Sequence, residues 1–426
     1  DKGLWRQSSL VTRHPSPRRN NMPSHHTAQV LVIGAGPAGC AAALTLARAG
    51  IDTLVVDQMC FPRDKVCGDA LIPDALRALG TLGVAADVLA AARIASRLDI
   101  YAPDGSRVEI PGRLAFLPRA RLDDLLRRAA AAAGARFLAP LRLSAFDCHD
   151  EVVRGARFKA PDSRCEITVG ARLVVLATGA ASAPLELAGV CLRKAPSGIA
   201  LRGYFRAECL AQELDSPCIS FDRAICPGYG WVFPGPDGVF NVGAGYFHDA
   251  RRVPDAGNVR RVFAAFVQRF PLARRVVAEG EPVGPLKGAP LRTALKGALL
   301  ARPGLLVAGE AAGSTYSFSG EGIGKALEMG MLAAEQALAL CRGQVDDTTL
   351  VSAYTQRVRG ALASRFAAYE TAQRWLSCPA VGNFIAARAR RSARLRERLA
   401  GLLAETAEPG ELFSWRGLLR ALVAGS

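Results

Sequence analysis

The stretch from Gln29 to Gln58 leaves this chain few folds to choose from. Val30 to Ile33 is a continuous apolar run, which suits a strand buried on both faces of a parallel sheet. Gly34, Gly36 and Gly39 follow in the spacing G-x-G-x-x-G, with Pro37 and Ala38 inside it. An alanine-rich helix is predicted from Pro37 to Ala49 and Gly50 stops it. Leu54 to Val56 then make a second buried strand that closes on Asp57 and Gln58. Each part has its own task. Gly34 permits a tight turn, Gly36 lets a pyrophosphate approach the backbone, and Gly39 lets helix and strand pack closely. The helix start offers unpaired N–H groups and a partial positive charge. The Asp57 carboxylate stands where it can accept hydrogen bonds from ribose hydroxyls. A chance glycine-rich loop would not bring strand, helix, second strand and acid into this order, so the segment reads as a dinucleotide site.

Half of the 426 residues are hydrophobic, ample for one large domain or two intertwined ones. The formal charge of +16 predicts a basic surface and anionic partners, namely an anionic membrane, an acidic carrier protein or phosphorylated substrates. No motif for nucleic-acid recognition is visible. Eleven cysteines are scattered singly with no C-x-x-C among them, which argues against a zinc site or a disulfide scaffold and for a reducing, cytoplasmic setting. Residues 1–21 do not read as a secretory signal. They are expected to be disordered, with Met22 a candidate natural start. No apolar run is long enough for a transmembrane helix. Near the C-terminus, Ala386 to Leu403 is predicted as one helix with an arginine-rich face, followed by the amphipathic stretch Phe413 to Val423. These could rest on the inner face of an anionic membrane, or the helix could simply pack on the sheet domain.

Further along, Ile72 to Leu82 has helical spacing, and residues 98–117 alternate like short strands around a D-G turn at Asp104 and Gly105. An amphipathic helix is expected from Arg119 to Ala133, two strands after it, and a buried strand from Arg172 ending in the turn at Gly179. Residues 198–247 are strand-rich, Val259 to Phe270 is helical, and a second strand-to-helix crossing spans Leu305 to Ala339. The expected fold is α/β: a Rossmann-like domain in pieces (29–97, 119–190, 301–345) with an interleaved antiparallel-sheet substrate domain (98–118, 191–300). A disordered tail (1–28) and a helical C-terminal segment (346–426) flank it.

Several motifs then narrow the class. After the glycine turn comes P-R-x-K-x-C-G, at Pro62, Arg63, Lys65, Cys67 and Gly68. R-x-x-L-D-x-x-L stands at Arg119, Leu122, Asp123 and Leu126. Gly309 and Glu310 precede a G-E-G-I at Gly320, Glu321, Gly322 and Ile323. A Y-x-W-x-F-P at Tyr229, Trp231, Phe233 and Pro234 is followed by Gly243 and Gly245. From about residue 29 to 345 this set resembles FAD-dependent oxidoreductases of the p-hydroxybenzoate hydroxylase fold and, within them, the geranylgeranyl reductase family. The resemblance implies FAD contacts from the glycine turn, Asp57, Gln58, Lys65, Cys67, Gly68, Arg119, Leu143, Gly309, Glu310, Gly320, Gly322 and Ile323. It also implies an isoprenoid pocket lined by Tyr229, Trp231, Phe233, Pro234, Gly243 and Gly245. Glu310 stands where the family has aspartate, and Ser317 where it often has proline.

The chemistry implied is reduction of carbon–carbon double bonds in an isoprenoid or other long apolar chain. FAD would be recharged by NAD(P)H or a reduced electron carrier. Cys67, Tyr229 and Trp231 are the candidates at the reacting centre. Lys65 and Arg63 could lower the Cys67 pKa, making it a proton donor, a redox switch or only a packing residue, and Tyr229 could donate a proton or only line the pocket. A monooxygenase or halogenase on the same fold is the alternative, and a flavoprotein docked on a carrier or membrane a third. Halogenases of this fold typically carry W-x-W-x-I-P, from which Tyr229 to Pro234 departs.

Overall fold

The computed structural model describes residues 25–161, 166–214, 216–247, 258–293, 295–317, 319–408 and 410. The N-terminal tail before His25 and the stretch Phe413 to Val423 lie outside the described residues.

The apolar runs pair as their composition requires. His25–Ile33 is flanked by parallel partners, Thr53–Val56 on one side and Glu166–Leu176 on the other. Leu305–Val307 extends the sheet beyond Glu166–Leu176, and Arg136–Leu138 extends it beyond Thr53–Val56. In chain order the five parallel strands therefore lie 5-4-1-2-3, and the order reverses between the first and fourth. Ligands of open α/β sheets bind beyond the carboxyl ends of the strands at such a reversal. Gly34 and the Ala177–Gly179 turn meet there: a Cβ on Gly34, whose φ is +103°, would lie 2.4 Å from the Ala177 carbonyl oxygen. The helix Pro37–Arg48 covers one face, and the long buried helix Ile323–Cys341 packs on it.

The second sheet is mostly antiparallel and draws on Arg93–Tyr101, Arg107–Phe116, Gly198–Arg206, Gly228–Pro234 and Val239–Phe247. One pair is parallel, Cys218–Ser220 against Arg93–Tyr101. Its first strand begins at Arg93, five residues before the expected start, because Arg93 to Ala95 pairs with Leu114 to Phe116 across a bulge. Three strands, not two, follow the Arg119–Ala132 helix, and the last two of them, Arg142–His149 and Val152–Lys159, form a ribbon beside Glu166–Leu176.

The C-terminal segment departs from the single helix expected over Ala386 to Leu403. It folds as Pro379–Arg391 and Ala393–Leu403, broken at Ser392, whose hydroxyl accepts from the Leu395 N–H and so caps the second helix. The break turns Leu403 onto the Arg107–Phe116 strand, where its side chain lies against Gly112. The bland expectation of a helix packed on the sheet domain therefore describes this segment. No helix among the described residues is long and apolar enough to cross a membrane.

Candidate functional site

Three chain segments meet at the start of the Pro37–Arg48 helix. Gly36 is the N-cap and no side chain caps the helix, so its first-turn amides face outward without an internal partner. A Cβ on Gly36 would sit 3.6 Å from the Arg63 guanidinium and 3.9 Å from that of Arg119. Two guanidiniums over an uncapped helix start make a site for a diphosphate. Both are held from behind by Asp123, which is fully buried. Arg119 pairs with it at 2.8 and 2.9 Å and Arg63 at 3.1 Å. Burial of Arg119 is thus compensated by a two-pronged ion pair within one helix turn.

Asp57 does more than wait for a ribose. One carboxylate oxygen accepts the Ala35 N–H at 2.8 Å and the other the Met59 N–H at 2.9 Å, so it also pins the glycine turn to the second strand. Gln58 is exposed beside it. Leu143 lies in the ribbon strand opposite Phe158, and it is Leu141 whose N–H bonds the Asp57 carbonyl at 2.8 Å.

The second turn completes the cradle. Gly309 is close to Ala38, 2.7 Å from a hypothetical Cβ, which places Glu310 beside the first helix. Lys65 reaches Glu310 at 3.1 Å and ties the Lys65–Gly68 loop to this turn. The buried hydroxyls of Thr178 and Ser314, one at each turn, lack hydrogen-bond partners. An uncapped helix start, two facing guanidiniums and unpartnered buried hydroxyls fit the polar diphosphate and ribityl parts of FAD. At the Gly320–Ile323 turn the Gly324 N–H is taken at 2.8 Å by the Glu321 carboxylate, that of Gly320 at 3.0 Å by the Tyr316 carbonyl and that of Glu321 at 3.3 Å by the Ser319 hydroxyl, leaving those of Gly322 and Ile323.

The aromatic strand closes on this cradle at two points. Gly68 approaches Phe233 and Trp231, with a hypothetical Cβ 3.1 and 3.6 Å from their rings, and the Tyr229 hydroxyl donates to the Ser319 carbonyl at 2.5 Å. Tyr229 and Trp231 rings lie 6.0 Å apart. The facing strand pairs Gly243 with Trp231 and Gly245 with Tyr229, as the motif predicts. Yet Gly243 does not leave an empty slot. Its missing side chain is replaced by the Trp231 indole, 2.1 Å from where a Cβ would be. Pro234 follows at the strand end.

Burial alters the titration expected of Cys67 and Tyr229. Lys65 and Arg63 are engaged with Glu310 and Asp123, and burial pushes the Cys67 thiol up despite the nearby Arg119, so it stays a thiol rather than a thiolate. Burial also raises the Tyr229 phenol well above its ordinary value, and its proton is committed to Ser319. Tyr229 is a fastener between strand and turn.

Sequence patterning missed the group that anchors the Cys67 loop. Asp69 is 3 % exposed and adopts φ +65°. Its carboxylate accepts from the Tyr204 hydroxyl at 2.6 Å, Asn241 at 2.7 Å and the Arg119 N–H at 3.2 Å. Asn241 also donates to the Cys67 carbonyl and accepts from the Trp231 indole. One amide therefore links loop, aromatic strand and acid. Burial lifts the Asp69 carboxyl to about 6 against the pull of the Tyr204 and Asn241 hydrogen bonds. The available hint was an Asp directly after C-G, a residue type that tolerates positive φ.

These two cradles and the strand between them define an FAD-dependent oxidoreductase of the p-hydroxybenzoate hydroxylase fold. Residues 27–222 match the FAD binding domain family. The chain is 35% identical over 324 residues to a menaquinone reductase of Mycolicibacterium smegmatis, covering 72% of this chain and 76% of that protein. It is 29% identical over 346 residues to a digeranylgeranylglycerophospholipid reductase of Methanosarcina acetivorans, covering 78% and 80%. Among solved structures, a geranylgeranyl bacteriochlorophyll reductase-like protein of Thermoplasma acidophilum superposes with TM-score 0.72 at 21% identity, over 94% of this chain and 97% of that one. A flavin-dependent brominase shares the fold at TM-score 0.71 and 19% identity, over 93% and 98%. The chain belongs to the geranylgeranyl reductase family of FAD-dependent oxidoreductases.

Proposed function

We propose that this enzyme reduces a carbon–carbon double bond in the isoprenoid chain of a prenylated quinone or lipid. One observation carries the reading. The apolar strand Gly228–Pro234 is fastened to the flavin-side loops at both ends, through Gly68 against Phe233 and Tyr229 against Ser319. An apolar chain laid along it would be held beside the cofactor with water excluded.

Bound FAD supplies the hydride. Arg63, Arg119 and the first-helix amides hold its diphosphate, and Glu310, steadied by Lys65, stands ready to accept from its ribityl chain. Trp231 and Phe233 exclude water, and Asn241 fixes the loop on which Cys67 stands, a neutral thiol able to deliver the second hydrogen as a proton. The reductant is NAD(P)H or a reduced electron carrier. The +16 charge suits an anionic membrane surface or an acidic carrier as the source of so apolar a substrate. The relatives named as reductases favour this reading over a monooxygenase or halogenase.

The test is anaerobic. Dithionite-reduced enzyme is mixed with prenylated quinones, geranylgeranyl lipids or carrier-bound acyl chains, presented in anionic or neutral vesicles where needed. Flavin absorbance should return with formation of the product saturated at one bond. Reoxidation by oxygen alone would sink the reading in favour of oxygen chemistry.

A further inference from the structure

Behind the Gly320–Ile323 turn lies a buried charged cluster that the proposed reaction does not use. The carboxylates of Asp74, Glu321 and Glu405 come from three distant parts of the chain, and one oxygen from each lies within 4.8 Å of the others. Lys325 sits among them, 2.8 Å from Glu405 and 3.6 Å from Asp74. Arg365 closes the far side, 3.2 Å from Glu405. The Lys325 ammonium occupies the place a metal ion would need, so a cation site is not the explanation.

Hydrogen counting gives a better one. Asp74 Oδ2, Glu321 Oε2 and Glu405 Oε1 are buried without a hydrogen-bond partner. The Tyr316 hydroxyl, on a side chain only 1 % exposed, faces the Glu405 and Glu321 charges and turns toward Glu405. Three carboxylates come together with few hydrogens between them. Charge points the same way. Three carboxylates oppose two cations, Lys325 and Arg365, and one proton makes these five groups neutral.

We infer that Asp74 and Glu321 share a single proton beside the Glu405 carboxylate, and that its presence or absence tunes the reduction potential of the FAD in front of the Gly320–Ile323 turn. Geometry supplies the coupling. Glu321 caps the Gly324 N–H, and Asp74 presses so close to Gly324 that a Cβ there would lie 2.1 Å from its carboxylate. The triad thus sits on the first turn of the Ile323–Cys341 helix, whose Gly322 and Ile323 amides are the ones left to meet a bound flavin. Other charges bear on it: Arg77 beside Asp74, Glu328 on Lys325, and Glu408 on Arg365. Tyr369 packs against Tyr316 with ring centroids 4.4 Å apart.

Burial, then the Glu405 charge, lifts Asp74 to about 7; burial, then the Asp74 charge, holds Glu321 well above the ordinary carboxylate range. The proton is therefore retained into the neutral range and titrates where the enzyme would work. Linkage is reciprocal. A protonated, neutral triad favours the electron-rich flavin, and two electrons on the flavin tighten the triad's hold on a proton taken from solvent.

The inference rests on FAD lying against this turn, and the test separates the two ideas. Holoenzyme would be titrated spectroelectrochemically across pH as wild type, Glu405→Gln and Asp74→Asn. FAD content is measured first, so a failure to bind flavin speaks against the site and not against the triad. Wild type should show a pH interval in which reduction takes up one proton more per two electrons than it does in either variant. Coincident potential–pH lines for all three proteins would overturn the inference. Should the variants not fold, reduced-minus-oxidised infrared difference spectra of the unmodified holoenzyme decide. A gain in protonated-carboxyl absorption on reduction supports the shared proton, and a flat carboxyl region refutes it.

Discussion

The nucleotide half and the substrate sheet use the same residue, glycine, for opposite ends. At Gly36 the missing side chain leaves open space, with only the Arg63 and Arg119 guanidiniums at 3.6 and 3.9 Å from a hypothetical Cβ. At Gly230 and Gly243 the space is already filled, by Phe266 at 2.3 Å and Trp231 at 2.1 Å. One set of glycines admits a ligand and the other admits the protein's own rings. Motif spacing cannot tell them apart. Even within G-x-G-x-x-G the split recurs, because a Cβ on Gly39 would strike the Gly34 carbonyl oxygen at 1.8 Å. Gly39 belongs to the fold, and Gly36 keeps open the space proposed for the cofactor.

The largest effects should come from the filled glycines. Gly230→Ala and Gly243→Ala each force a methyl into a buried ring, and each should cost about 3 kcal/mol or more of stability, read by chemical denaturation. A loss under about 0.5 kcal/mol at either site would mean that the rings can move aside, and that the slot is adaptable after all.

A smaller effect is expected at the joint between the halves. Asp69 titrates near 6 in the native protein, above its ordinary value of 3.8, so the native state holds this proton more tightly than the unfolded chain. Its contribution to stability is full below 3.8 and is lost as pH rises through about 6. Asp69→Asn should flatten that part of the stability–pH profile while costing about 1–3 kcal/mol, because the amide cannot accept from Tyr204, Asn241 and the Arg119 N–H as the carboxylate does. An unchanged slope would place the titration elsewhere in the molecule.

The nucleotide half was readable from the sequence because its chemistry is local. Strand, glycine turn, helix and Asp57 lie within thirty residues, and each contact they make is set by backbone geometry. The substrate sheet was readable as strands, and an aromatic strand beside a glycine-bearing one followed from the Y-x-W-x-F-P and the glycines after it. What occupies the glycine's space did not, since that depends on a side-chain rotamer. The anchoring of the Cys67 loop by Asp69, Tyr204 and Asn241 spans 172 residues between Asp69 and Asn241, a separation no periodicity reports. The same holds for Lys65 and Glu310, 245 residues apart. Cys67 was misjudged for a related reason. Lys65 and Arg63 are its neighbours in sequence, but both spend their charge on distant carboxylates, and burial then decides the thiol. The break at Ser392 was hidden because an arginine-rich helical pattern continues on both sides of it.

The central claim is that one FAD is held between two glycine turns, with Gly36 reserved for its diphosphate. Titration of FAD into apo wild-type and Gly36→Val protein, monitored by flavin fluorescence and paired with thermal melting of the apo forms, tests it most directly. The account predicts apo stability within about 1 kcal/mol of wild type, because a Cβ at Gly36 meets only the Arg63 and Arg119 guanidinium ends, at 3.6 and 3.9 Å, which can give way to the valine methyls, together with a fall in FAD affinity of about a hundredfold or more. Equal FAD affinity in the two proteins would contradict it.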